Sequence, residues 1–338
     1  MIRDTALSTA LPRGLAIGIA FAMSLAASAD AQEILKFHHD LTEDSAQHLG
    51  AMEFERLVED RTGGKIDVQI YANNALGDDV EAAQQMQFGA IQAAPIPTAK
   101  LATFNPALQV VDLPFLFPNP EVAYKVLDSD VGMEILNGLD KAGFVGAMFW
   151  ESGFKQLTCN SAITKPEDLA GKKVRVMESP LLIAQYEQMG ATAVPVAFSE
   201  VYTALQQGVV ECQENPIVSI QKMKFYEVQD HMMISNHGYL ATAFIFSKVW
   251  FDAQDAETQK ILMDAAQEAG IFQRARSRAL EADYLQEIRD AGTTEIDELT
   301  PEQLDVFAAA MKPVHAKFAD RIGADLLDRV YAEIERQK

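Results

Sequence analysis

Two hydrophobic periods alternate along the chain from Ile34 onward, and this alternation restricts the fold more than any other feature. Ile66, Val68 and Ile70 interleave with Lys65, Asp67 and Gln69, the period of two that marks a half-buried strand. Before it, Phe54, Leu57 and Val58 keep helical spacing, and Gly63-Gly64 signals the end of that helix. After it, residues 78–88 read as a helix that stops at Gly89. Strand, helix, strand, helix is the grammar of an α/β sheet.

The same grammar returns in the middle of the chain. Pro166, Glu167 and Asp168 open a short helical turn, and residues 173–177 follow as a strand. Ser179-Pro180 fits an N-cap and first helical position, opening a helix to about Met189. A further helix is expected over 198–207, closed by Gly208, then a strand over 209–213 that stops before Pro216. Residues 242–247 read as an apolar strand after a loop containing Asn236-His237-Gly238. From 253 to 291 no proline interrupts a helical face, so one helix of roughly 50 Å is expected at 1.5 Å per residue. Its alternative is two helices broken at Gly270. Thr300-Pro301-Glu302-Gln303 has the layout of a capping box.

The 338 residues exceed one ordinary core, so two lobes are expected. The division falls near Gly153, with the chain crossing back near Ala241. Residues 32–153 and 242–280 then form lobe I, residues 154–241 and 281–338 form lobe II, and the long helix crosses between them. Residues 1–31 read as a cleaved export signal: Arg3 and Arg13, an apolar stretch from Gly14 to Ala27, and Ala29-Asp30-Ala31. The apolar stretch falls short of the about 20 residues a membrane span needs. A protein outside the cytoplasm is therefore expected.

The formal charge of -21 makes nucleic acid and anionic membrane surfaces poor partners. An anionic small molecule must be held by local cations. Cys159 and Cys212 are an even pair in an oxidising compartment, either bridged or separately buried. No G-x-S-x-G elbow, H-E-x-x-H helix, P-loop or G-x-G-x-x-G turn occurs. His38, His39 and Asp40 have metal-ligand chemistry, but adjacent strand residues point to opposite faces, so a polar cluster at a strand end near a cleft is preferred to a metal site. No cofactor is expected. Arg175 lies between Val174 and Val176, at a strand end just before the helix opened by Ser179. Strand ends and helix N-termini in α/β sheets hold small anions, and an arginine there can grip a carboxylate through two parallel hydrogen bonds. A solvated surface arginine is the other reading.

A longer pattern runs through Gly171-Lys172-Lys173-Val174-Arg175-Val176, Ala197-Phe198-Ser199-Glu200-Val201-Tyr202 and Gly208-Val209-Val210-Glu211-Cys212-Gln213-Glu214-Asn215-Pro216. With Asp112-Leu113-Pro114-Phe115-Leu116-Phe117 and Phe225-Tyr226-Glu227-Val228-Gln229, it resembles the DctP family of TRAP transporter solute-binding proteins. The resemblance implies a two-lobed periplasmic binding protein fold of the α/β class, with hinge strands and a long helix spanning both lobes. It also implies a binding protein rather than an enzyme. By the family pattern Arg175 binds the ligand carboxylate, Asn215 supports the same group, and Phe198 lines the pocket. Lys155 stands in Gly153-Phe154-Lys155-Gln156 where many relatives carry arginine, and lysine lacks the planar fork. That segment and His237-Gly238-Tyr239-Leu240 resemble the C4-dicarboxylate branch, which implies succinate, malate or fumarate. Lys100, Asp40, Trp150 and Tyr239 are further pocket candidates, with core packing or a solvated surface as their other reading. The implied partners are a small organic carboxylate and the membrane subunits of a TRAP transporter. A monocarboxylate ligand, aromatic or held with a metal ion, and a secreted α/β enzyme acting on an acidic metabolite are the alternatives.

Overall fold

Two three-stranded parallel units, each with the first strand in the middle, are joined by two long antiparallel strands into one sheet. The computed structural model describes residues 32–338, and the expected export signal lies outside the described residues. In chain order the strands are β1 (Glu33–His38), β2 (Ile66–Tyr71), β3 (Ala93–Pro97), β4 (Phe144–Cys159), β5 (Lys173–Val176), β6 (Thr192–Pro195), β7 (Cys212–Pro216), β8 (His231–Ser247) and β9 (Glu295–Glu298). Their order across the sheet is β2-β1-β3-β8-β4-β7-β5-β6, with β9 added beside β8. β1 runs parallel to β2 and β3, and β5 runs parallel to β6 and β7. β3 and β7 instead run antiparallel to the long strands β8 and β4.

β4 and β8 serve both halves of the sheet. The first half of β4 pairs with the last half of β8, Phe144 opposite Ser247, and its last residues pair with β7, Cys159 opposite Cys212. The register shifts between Glu151 and Gly153 and again between Lys155 and Leu157. Such bulges bend a strand where it passes from one half to the other.

The expected strand at 242–247 begins eleven residues earlier, at His231, and Asn236-His237-Gly238 lies inside it rather than in a loop. A bulge makes this possible. Asn236 sits at φ 44°, and the Gln156 side chain accepts hydrogen bonds from the Ser235 and Asn236 amides at 2.9 and 3.1 Å, replacing ladder bonds. The strand expected at 209–213 is displaced to Cys212–Pro216, because the Val209 and Val210 amides donate back to the Ala204 carbonyl and finish the preceding helix. Pro216 is tolerated because it ends the strand.

The long helix runs unbroken from Ala256 to Ala291, capped by Asp255 and ended by Gly292 in the left-handed region. Its first half gives Leu262, Ala265 and Ala269 to a core with Leu35, Phe37, Phe54, Trp150 and Phe244. Its second half gives Tyr284 and Ile288 to a different core with Phe198, Val201, Ile217 and Phe225. One helix thus supports both halves. A third core holds Leu108, Leu113, Leu136, Val174 and Leu181 together with Phe307, Phe318, Val330 and Ile334 of the C-terminal helices. Cys159 and Cys212 are bridged, closing the choice left open by the sequence. Among the described residues no helix is long and apolar enough to cross a membrane.

Candidate functional site

Each parallel unit places its first strand between the second and third, so the chain turns in opposite directions at the ends of β1 and β3, and likewise at the ends of β5 and β7. Crevices outside the carboxyl ends of such strands are the places where open α/β sheets bind ligands. The ends of β5 and β7 carry Arg175, Glu178, Ser179 and Asn215; the ends of β1 and β3 carry His38, His39, Asp40, Thr98 and Lys100.

Arg175 is 1% exposed. Its register partner on β7 is Gln213, so Arg175, Gln213 and Asn215 share one face of the sheet. The Nε and Nη2 atoms donate to the Val196 carbonyl at 2.9 and 2.8 Å, which fixes the plane of the guanidinium. It has no carboxylate partner at ion-pair distance among the described residues, and burial lowers its pKa to about 10. Asn215 donates to the Gln213 side chain at 2.6 Å, and Gln213 donates to Thr158 at 2.9 Å. The Phe198 ring lies 6.0 Å from the Arg175 guanidinium carbon and 5.9 Å from the Lys100 ammonium. Two expected site residues, Arg175 and Lys100, therefore meet around the ring of a third, Phe198.

Lys100 is buried and its ammonium is held by Asp78 and Asp79 at 2.9 and 2.8 Å. Burial opposes its charge, but the Asp79, Asp78 and Asp40 carboxylates more than offset this and keep its pKa above the ordinary lysine range. Asp79 stays ionised, near pKa 2: burial raises it, and Lys100 and His38 outweigh burial. Asp40 behaves in the opposite way. Burial, then the charge of Asp79, raises it to about 8. His39 is lowered to about 3 by burial and by its neighbours His48 and His38, so it is neutral at physiological pH. Buried atoms without a hydrogen-bond partner gather here: both ring nitrogens of His38, Nδ1 of His39, both amide atoms of Gln47 and Oδ1 of Asp79. After β5, Ser179 Oγ and Glu178 Oε2 are in the same condition.

Lys155 belongs to a separate network. It is 0% exposed, its ammonium lies 2.7 Å from Glu214 Oε1, and Glu214 Oε2 also receives Tyr186 Oη at 2.8 Å and meets His237 Nε2 at 2.7 Å. Burial opposes ionisation of Glu214, but Lys155 and His237 prevail and keep its pKa far below the ordinary range. Trp150 packs in the aromatic core with Phe37 and Phe244, and Tyr239 packs against Phe117 and Phe154. Neither is brought to the Arg175 ring of residues, because alternation along β4 and β8 turns them into cores.

Asp78, Asp79, Gln47 and Glu214 were not singled out from the sequence as site residues. Asp78 and Asp79 were legible only as the opening of a helix, a role Asp78 does fill as N-cap with a capping box to Glu81. A cavity of about 520 Å³ elsewhere is lined by Phe115, Phe154, Asn236 and Arg278 and contains none of the charged residues above.

The arrangement sets a buried guanidinium, with no carboxylate at ion-pair distance among the described residues, at a strand end beside Asn215 and Phe198. Residues 37–321 match the family described as bacterial extracellular solute-binding protein, family 7. The chain is 38% identical over 320 residues to the C4-dicarboxylate-binding periplasmic protein DctP of Rhodobacter capsulatus, covering 93% of this chain and 95% of that one. Among solved structures, a TRAP periplasmic solute-binding protein from Shewanella oneidensis with bound succinate is 31% identical with a TM-score of 0.87, covering 90% of this chain and 99% of the other. The sugar acid binding protein DctPAm from Advenella mimigardefordensis, in complex with galactonate, is 32% identical with a TM-score of 0.88 over the same shares.

Proposed function

The chain belongs to the bacterial extracellular solute-binding protein family 7, the binding component of TRAP transporters and not an enzyme, and from that premise we propose that Arg175 seats the carboxylate of a small organic acid which the protein carries to the membrane subunits. The observation that carries this reading is a buried guanidinium, fixed in plane by Val196 and left without a carboxylate partner at the mouth of a strand crevice. Asn215 supports the same group from the neighbouring strand, Phe198 forms the wall, and the other lobe closes over the acid. The periplasm is the place where such a component works. The lobe division at Gly153 and Ala241 belongs to the same proposal, since Glu151 pairs with Ala241 where the register of β4 shifts.

Closure removes water and strengthens each charged contact, and the ligand favours the closed form only by its greater affinity for that form. Two ligand classes have support. C4-dicarboxylates are favoured by the relative from Rhodobacter capsulatus and by the succinate complex; a sugar acid is favoured by the galactonate complex. Either class needs Arg175. Arg175→Ala is expected to weaken binding by about 3 to 5 kcal/mol, the cost of leaving a buried carboxylate without its partner. A nanomolar ligand would fall to about micromolar, since about 4 kcal/mol separates the two. Calorimetric titration of a panel of small organic acids into the folded variant checks this, and unchanged tight binding would remove Arg175 from the site.

A further inference from the structure

Two polar contacts cross the proposed division without involving β4 or β8. Asp78 caps the helix Asp79–Gln87, and its Oδ1 accepts from Lys100 at 2.9 Å. Its Oδ2 accepts from Ser199 Oγ at 3.2 Å, with the Ser199 amide 3.5 Å away. Ser199 belongs to the segment 196–199, whose Val196 carbonyl holds the Arg175 guanidinium and whose Phe198 ring lies 6.0 Å from it. The second contact is made by Asp44, which precedes Ser45, the N-cap of the helix Ala46–Thr62. One oxygen of Asp44 accepts from Thr42 Oγ1 at 2.6 Å and the other from Lys222 Nζ at 2.8 Å. Lys222 closes the helix Ile217–Lys222 that follows β7; its side chain is 9% exposed and its ammonium lies 4.6 Å from the centre of the Tyr284 ring. The lysine thus rests on an aromatic face of the long helix, and its hydrogen bond lowers the pKa of Asp44.

Asp44 and Asp78 fall within residues 32–153, and Ser199 and Lys222 within residues 154–241; the partners are 178 and 121 residues apart in sequence. β4 and β8 carry the chain across the division and stay paired to each other whichever way the halves turn. A side-chain pair that meets from loops and helix ends has no such tether and separates when the halves part. Lys100 stays with Asp78 in either form, because both belong to one half; closing adds Ser199. Resting on the reading that two halves close over a bound acid, we propose that Asp44–Lys222 and Asp78–Ser199 are closure latches, positioning pairs that scale the affinity for every acid by one factor and leave the choice among acids to the seat. A ligand that needs the closed form binds with its intrinsic dissociation constant divided by the closed fraction, so a change in that fraction acts on all ligands alike. A latch must also break before the acid leaves, so its loss is read in the dissociation rate. Exposed pairs are each worth little, which sets the factor at about two- to fivefold.

The test is calorimetric titration and stopped-flow dissociation with succinate and with galactonate, on the parent, Asp44→Asn, Lys222→Gln, their double variant and Ser199→Ala, with Arg175→Ala as the control for the seat. Asp78 is left unchanged because it also holds the buried Lys100. Asp44→Asn and Lys222→Gln are each expected to speed dissociation about two- to fivefold, by the same factor for each acid the parent binds, and the double variant to do no more than either alone. Ser199→Ala should act in the same direction, and its effect should multiply with theirs, since the two latches share no residue. Added salt should shrink the gap between the parent and Asp44→Asn, because that pair is wet and screened, a response that a folding defect lacks. The variants alter different elements, so a poorly folded one leaves the others as the test. Single effects that multiply in the Asp44→Asn/Lys222→Gln variant, dissociation unchanged throughout, or a loss confined to one of two bound acids would overturn the latches; Arg175→Ala abolishing binding in the same experiment would leave the seat standing. Latch effects as expected, with binding unmoved by Arg175→Ala, would remove the seat and keep the latches. A parent that binds neither acid would bring down the closing reading and the latches together.

Discussion

Glu151 shows how a single side chain couples burial to pH. It is 2% exposed on β4 where the register shifts, accepts a hydrogen bond from Tyr124, and leaves Oε1 without a partner. Burial pushes its pKa up to about 7, against the pull of Tyr124, Arg278 and Arg274. Asp112 rises to about 7 and Asp40 to about 8, each chiefly through burial. A carboxyl whose folded pKa lies above its unfolded value keeps its proton where the unfolded chain has lost it. Stability therefore falls as pH rises from the ordinary carboxylate range, about 4, through the folded pKa values to about 8. The depressed carboxyls Glu214 and Asp79 contribute stability that is lost only in more acidic solution, outside that window. His39, His48 and His315 are all lowered, chiefly by burial, and below their ordinary value of 6.5 they favour the unfolded chain. The melting temperature is thus expected to peak at mildly acidic pH and to decline toward pH 8. Glu151→Gln, which mimics the protonated form, should shrink the decline and melt higher than the parent at pH 8. Melting curves at both pH values check this, and a parent protein that gains stability from pH 6.5 to 8 would contradict it. Arg175 could be singled out in the sequence because alternation with two valines gives it a face. The pairing of Lys155 with Glu214 could not, since those residues are 59 apart and only strand register brings them together.

Elements read best where the signal is local. The capping box at Thr300, the αL glycine after the helix Ala46–Thr62 and the period-two strand β2 all stand where the sequence places them. β8 was cut short because a bulge filled by Gln156 looks, in one dimension, like a polar loop. The long helix presents the most instructive case. Gly270 reads as a break on propensity alone, at a cost of about 1 kcal/mol, yet the helix continues through it. The reason is close approach to β4: a Cβ at Gly270 would lie 2.7 Å from Trp150 Nε1 and would also overlap Met148. Gly50 on the helix Ala46–Thr62 permits a similar approach to Gln273 at 2.8 Å. Gly270→Val should therefore destabilise the protein by about 1 to 3 kcal/mol through overpacking, and by more than its effect on helix propensity. The urea midpoint measures this, and a variant as stable as the parent would show that β4 and the helix yield without cost.

At the scale of the whole molecule, cohesion within a lobe and contact between lobes are built differently. Polar contacts across the proposed division range from buried, as where His315 Nε2 donates to the Pro114 carbonyl at 2.8 Å, to wet. Ser199 donates to Asp78 at 3.2 Å, and Lys222 meets Asp44 at 2.8 Å with the Asp44 side chain 71% exposed. Exposed pairs of this kind contribute about 0 to 1 kcal/mol each. Within lobe II, by contrast, the Cys159–Cys212 bridge joins the end of β4 to β7 and closes a sequence separation of 53 residues. Cross-linking a loop of that length stabilises a fold by about 2 to 4 kcal/mol, mainly by restricting the unfolded chain. Both sulfurs lie on one side of the crevice, facing away from Arg175, because Cys212 pairs with Val174 and alternates with Gln213. The double variant Cys159→Ala/Cys212→Ala is therefore expected to melt several degrees lower while keeping its affinity for whichever acid the parent binds to within about twofold. Thermal unfolding and calorimetric titration of the same sample separate the two effects. If affinity falls in step with stability while the protein remains folded, the bridge sets the position of the Arg175 strand, and lobe rigidity rather than lobe closure limits binding.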